Sequence, residues 1–100
     1  MPSYSFRLYV TGATTLSREA EANLRALCKN RLVDDYEIEI VDILESPALA
    51  EEEHIIATPT IMRLAPSPRL RVIGNLSDEE RAARAFGLPG ARFTISGESE

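Results

Sequence analysis

The sequence predicts one α/β domain, a sandwich around a mixed sheet in the order strand, helix, strand, helix, strand, strand, helix. Three observations carry this. Alternating apolar residues over 4–11 give way to three- and four-residue apolar spacing up to about Arg31, then return to alternation over 36–43, which makes a βαβ unit. A second helix-like, acidic run stops before Pro59, because proline lacks an N–H and pushes the residue ahead of it out of the helical region. Two further strand-like runs are separated only by Pro66-Ser67-Pro68, a connection short enough for a hairpin.

The first strand, Tyr4 to Thr11, alternates Phe6, Leu8 and Val10 with Ser5, Arg7 and Tyr9. Gly12 ends it, and Thr14 or Thr15 caps the helix that follows. Ala20, Leu24, Leu27, Cys28 and Leu32 form its apolar face, and Arg25, Lys29 and Arg31 sit late, which suits the helix dipole. Asp34-Asp35 turns the chain into Tyr36 to Ile43, a strand parallel to the first through a right-handed crossover. Glu37 and Glu39 alternate outward there, as expected of an edge strand whose charge discourages stray pairing.

Ser46-Pro47 starts a short helix, with Ser as cap and Pro at the first helical position. Leu49, Ala50 and Ile55 or Ile56 should face inward, and Glu51, Glu52 and Glu53 outward. Thr60 to Ala65 and Arg69 to Gly74 form the antiparallel hairpin, with Arg63 expected across from Arg69 and Arg71. Ser77 opens the last helix through a capping box with Glu80, and Gly87, Pro89 and Gly90 close it. Residues 1–90 are thus expected to be the domain, and 91–100 a polar, flexible tail with a weak strand-like Phe93-Thr94-Ile95.

A net charge of −5 argues against nucleic acid, which needs a basic face. No apolar run approaches the roughly 20 residues of a membrane span, and the N-terminus lacks the layout of a signal peptide. The single cysteine allows no internal disulfide and suits a reducing, cytoplasmic setting.

Candidate chemistry is sparse. Cys28 falls on an apolar helix face, where a small core residue is the plainer reading than a reactive thiol. His54 lacks companion ligands, so a boundary histidine outweighs a metal site or a switch. Glu51 to Glu53 suit a solvated helix face better than a carboxylate site. Gly12 to Ser17 is too poor in glycine for a phosphate loop. Arg63, Arg69 and Arg71 form the strongest positive patch, either guarding a hairpin or docking an acidic partner, with Glu37 and Glu39 as further candidates for partner contact. No catalytic, cofactor-binding or metal residue is expected.

Ala57-Thr58-Pro59-Thr60 resembles the entry to the third strand of thioredoxin-like domains. A redox enzyme of that kind needs a thiolate where the first helix begins, and Gly12-Ala13-Thr14-Thr15-Leu16-Ser17 holds none. The residues therefore favour a binding module.

Four runs go further: Leu8-Tyr9-Val10-Thr11-Gly12, Val41 through Glu52, Ile55 through Thr60, and Ile73-Gly74-Asn75-Leu76-Ser77-Asp78. Together they resemble the KaiB family of circadian-clock proteins over about residues 4 to 82. The resemblance implies a non-enzymatic regulator that binds a KaiC-type ATPase, or competes with the sensor domain of a histidine kinase, in clock or stress signalling. It implies a free homo-oligomer, dimer or tetramer, of βαββααβ order that switches to the thioredoxin-like βαβαββα form. Residues from Ser46 onward would rearrange, with Thr58 and Pro59 as the hinge. The alternative is a self-assembling interaction module with no KaiC partner. Here the last helix is shorter than is usual in the family, and Glu19 and Ala22 stand where basic residues are common.

Overall fold

In the computed structural model, which describes residues 2–90, the chain forms seven elements. They are β1 (Tyr4–Val10), α1 (Thr15–Leu32), β2 (Tyr36–Asp42), α2 (Pro47–Glu52), β3 (Thr60–Ala65), β4 (Leu70–Ile73) and α3 (Glu79–Phe86). This is the βαβαββα order the alternating patterns predict. The four-stranded sheet runs β2-β1-β3-β4, with β1 and β2 parallel and the other two pairs antiparallel. The strand-like 93–95 run and the tail expected over 91–100 lie outside the described residues.

The period-two pattern divides the sheet into two faces. Phe6, Leu8, Val10 and Ile61 join Ala20, Leu24, Leu27, Cys28 and Leu32 of α1 and Ala82, Ala83 and Phe86 of α3 in the main core. Phe6 and Phe86 meet edge to face at 5.4 Å. On the other face Tyr9, Val41 and Met62 form a smaller cluster, flanked by Leu49 and Ile55. Six residues of α2 contribute Ala50 as their buried residue, so this layer is thin.

Three local expectations need correction. Asp78, not Ser77, caps α3, because its carboxylate accepts from the Arg81 amide. Ser46 holds the cap position of α2 but makes no side-chain cap bond, and Pro47 supplies the helical start. Strand β4 begins at Leu70 and ends at Ile73, a residue inside each predicted limit. Thr14 caps α1 as expected, accepting from the Ser17 amide at 3.1 Å.

Candidate functional site

The end of the sheet where β1 and β2 finish and β3 begins is built from three loops. Asp42, at the end of β2, accepts from the Gly12 amide at 3.3 Å and the Leu44 amide at 2.9 Å, tying the two loops that leave the parallel strands. Gly12 adopts φ 65, a conformation that favours glycine. The hydroxyls of Thr11 and Thr58 are hydrogen-bonded at 2.7 Å, joining the β1 exit to the β3 entry. The Thr58–Pro59 bond is cis, Pro59 is buried, and its carbonyl accepts from Gly74 at 3.0 Å.

The atoms at this spot are hydroxyls, amides and a carboxylate already engaged by two N–H groups. No cysteine stands there, and Cys28 is fully buried on α1. Burial pushes its thiol from an ordinary 9.0 up to about 12, outweighing the opposing pull of Arg25. His54 is exposed with φ 57, so it turns the chain. No cluster of three or more metal-ligating side chains occurs among the described residues.

The expected arginine patch does not form as a set. The hairpin register pairs Arg63 with Leu70 and Met62 with Arg71, so Arg63 points to the face opposite Arg71. Arg63 is only 5% exposed and donates to the carbonyls of Phe86 and Pro68. In this fold it is a buried strut, with little surface to offer a partner. Arg69 and Arg71 do share a face. Arg69 pairs with Glu53 at 3.4 Å, and Arg71 donates to the carbonyls of Glu53 and His54, so both hold the end of α2 to the sheet.

Glu37 and Glu39 are exposed on β2, an edge strand as expected. Arg7 bonds Glu39 at 2.9 Å and the Tyr9 hydroxyl at 3.2 Å, and these partners raise the Arg7 guanidinium, Tyr9 first, against the lowering effect of burial. Glu37 accepts from Ser5 at 3.2 Å.

Residues that composition alone does not single out are the exposed apolar ones. Ile56 is 87% exposed beside the Thr58–Pro59 bond, and Leu44 is 68% exposed beside Asp42. Ile55 and Ile56 are indistinguishable by type. The backbone turn at His54 sends the first into the small cluster and the second to solvent. Together with Leu16 and Ile73, these side chains make the loop end of the sheet apolar.

The KaiB domain family matches residues 7–88. Circadian clock protein KaiB3 of Synechocystis is 45% identical over 75 residues, spanning 75% of this chain and 74% of that protein. The circadian clock oscillator protein KaiB of Prochlorococcus marinus MIT 9211 is 44% identical over 86 residues, spanning 86% and 75%. Among solved structures, the N-terminal domain of Synechococcus elongatus SasA superposes with a TM-score of 0.72 at 15% identity, covering 93% of this chain and 91% of that one. Mitochondrial thioredoxin 3 of Saccharomyces cerevisiae superposes with a TM-score of 0.66 at 16% identity, covering 84% and 76%. These two likenesses establish the fold.

Proposed function

The chain belongs to the KaiB family, and from that premise we propose that it is a non-enzymatic regulator that acts by docking on a KaiC-type ATPase in clock or stress signalling. The observation that carries this reading is the helix start at Gly12–Ser17. A thioredoxin-like frame is present, but its reactive position is occupied by Thr14 capping α1. Disulfide exchange needs an exposed thiolate and a resolving thiol. The chain's lone thiol is buried and held protonated, so surface recognition is what the frame retains.

The loop end with Leu44 and Ile56 supplies an apolar docking centre, and Glu37 and Glu39 of the β2 edge supply charge that steers a basic partner surface. Arg69 and Arg71 serve the interface indirectly by fixing the 53–56 segment. A histidine kinase sensor domain of the same fold would compete for the same ATPase surface.

Exchange between the βαβαββα form and an oligomeric βαββααβ form belongs to the same proposal, with Thr58 and Pro59 as the hinge. Its support is local. Helix α2 is too short to be stable alone, and Ile55 and Ile56 are β-branched residues suited to a strand. Two packings within a few kcal/mol form a documented class of switch.

Size-exclusion chromatography of the full chain with a KaiC-type ATPase ring and ATP, followed over hours, tests the partner. Co-elution is the expected result. Absence of a complex in every nucleotide state removes the ATPase partner and leaves the self-assembling module.

A further inference from the structure

Helix α3 is held differently from α1. Along its length α1 buries Ala20, Leu24, Leu27, Cys28 and Leu32, whereas α3 buries Ala82, Ala83 and Phe86. Alanine removes little apolar surface from water, so Phe86 supplies most of what α3 gains from the core. Between α3 and β4 lies an open groove of about 270 Å³, lined by Val72, Leu76, Ala82 and Ala85. Packing on that side of the helix is thin.

Two arginines fasten α3, one at each end. Arg31 of α1 pairs with Glu79 at 3.1 Å and Glu80 at 3.2 Å in the first turn, and Asn30 donates to Glu79 at 3.2 Å. Arg63 of β3 donates to the Phe86 carbonyl in the last turn. The fastenings differ in kind. Arg63 is buried and its acceptor is a neutral carbonyl. The Arg31 clamp is ionic, its two carboxylates are 41% exposed, and it borders an open cleft of about 480 Å³. It therefore yields to salt sooner than the buried bond does. An eight-residue helix lifted off the sheet is not stable alone, so release and melting of α3 are one event. The centre of the sheet does not depend on it, because β1 is paired on both sides, with β2 and β3.

We propose that α3 is a strap that opens as one unit while the sheet and α1 stay folded, with the Arg31–Glu79/Glu80 clamp setting how often it opens. Opening uncovers Phe6, Ile61 and Val72, which share one apolar cluster with Phe86. The clamp thus makes exposure of that surface depend on the charge around Arg31. The strands keep their pairing throughout, so this motion is separate from an exchange of whole folds and needs no ATPase partner.

Native-state hydrogen exchange of the full chain tests the strap. The Ala82 to Phe86 amides should share one opening equilibrium, more open by roughly tenfold or more than that of Leu8 and Tyr9 in β1. Arg31→Gln should raise the α3 opening by roughly three- to tenfold, the effect of a charge-assisted contact at a partly exposed site, and leave Leu8 and Tyr9 unchanged. In that variant Glu79 keeps Asn30 and Glu80 keeps Arg84, at 4.0 Å, so neither carboxylate is stranded. Arg31→Lys should restore part of the closure. Raising NaCl from about 0.05 M to about 0.5 M should quicken α3 selectively in the parent, which repeats the test without a substitution. Parent α3 amides as protected as those of β1, protection graded residue by residue from Ala82 to Phe86 as in end fraying, or α3 exchange in Arg31→Gln that is unchanged or rises equally with β1, would each overturn the proposal.

Discussion

The guanidinium of Arg63, on β3, donates to the carbonyl of Phe86, the last residue of α3, at 2.6 Å. Its other terminal nitrogen donates to Pro68 at 2.7 Å in the β3–β4 connection, so one buried side chain ties a strand, a helix end and a loop. The last carbonyls of a helix lack intrahelical partners and carry partial negative charge, which suits a cation there. Arg63→Met should lower the unfolding free energy by roughly 1.5–3 kcal/mol, the range for hydrogen bonds to a charged group. Arg63→Lys should recover part of the loss, since an ammonium cannot span both acceptors in the same fork. Urea unfolding measures both, and a Met variant as stable as the parent contradicts the strut.

The Cys28 thiol should resist alkylation in the native chain at pH 8 and react fully in denaturant. Its folded pKa, about 12, lies above the ordinary 9.0. The folded state therefore holds the proton more tightly, and the stabilisation is complete below pH 9 and lost as pH rises from 9 toward 12. Unfolding followed across that range in the parent and in Cys28→Ala should show a steeper alkaline decline in the parent.

Arg71→Ala should free the 53–56 segment without unfolding the domain. The side chain donates to the carbonyls of Glu53 and His54 at 2.6 and 3.1 Å, both at the exit of α2. We expect a loss of about 1 kcal/mol and faster amide exchange confined to residues 53–57. Exchange that rises uniformly over the chain would argue that α2 and the main core open together.

Pro59→Ala should change the population of the proposed second form. Pro59 is buried, and its carbonyl closes the β3–β4 hairpin by accepting from Gly74. Proline also fixes φ in both folded and unfolded chains, so its removal widens the alternatives open to this join. A second set of NMR resonances beyond Ser46 is the expected outcome. Shift changes limited to the neighbours of residue 59 would count against the hinge.

Much of this fold was legible because its elements differ in apolar period. The change from two-residue to three- and four-residue spacing located β1, α1 and β2, and the breaks at Pro59 and Pro66–Pro68 located the hairpin. Hairpin register was not legible. Arg63, Arg69 and Arg71 have odd numbers and look like one face, but a short loop and the pairing of Arg63 with Leu70 place Arg63 on the other. The cap of α3 was misplaced by one residue because Ser77 and Asp78 both qualify by type, and only backbone geometry selects Asp78. The loop end was legible in its missing thiol but not in its apolar surface, since the exposure of Ile56 depends on a turn at His54 that no residue pattern announces.

On the proposed function the chain works through its surface and not through sulfur. The most direct test is a titration of fluorescently labelled KaiC-type ATPase with the full chain and with its Cys28→Ser, Ile56→Asp and Leu44→Asp variants. Cys28→Ser should bind as the parent does, while each aspartate variant should bind at least tenfold more weakly, a loss of about 1.4 kcal/mol. Binding abolished by Cys28→Ser and untouched by both aspartates would contradict the proposed function.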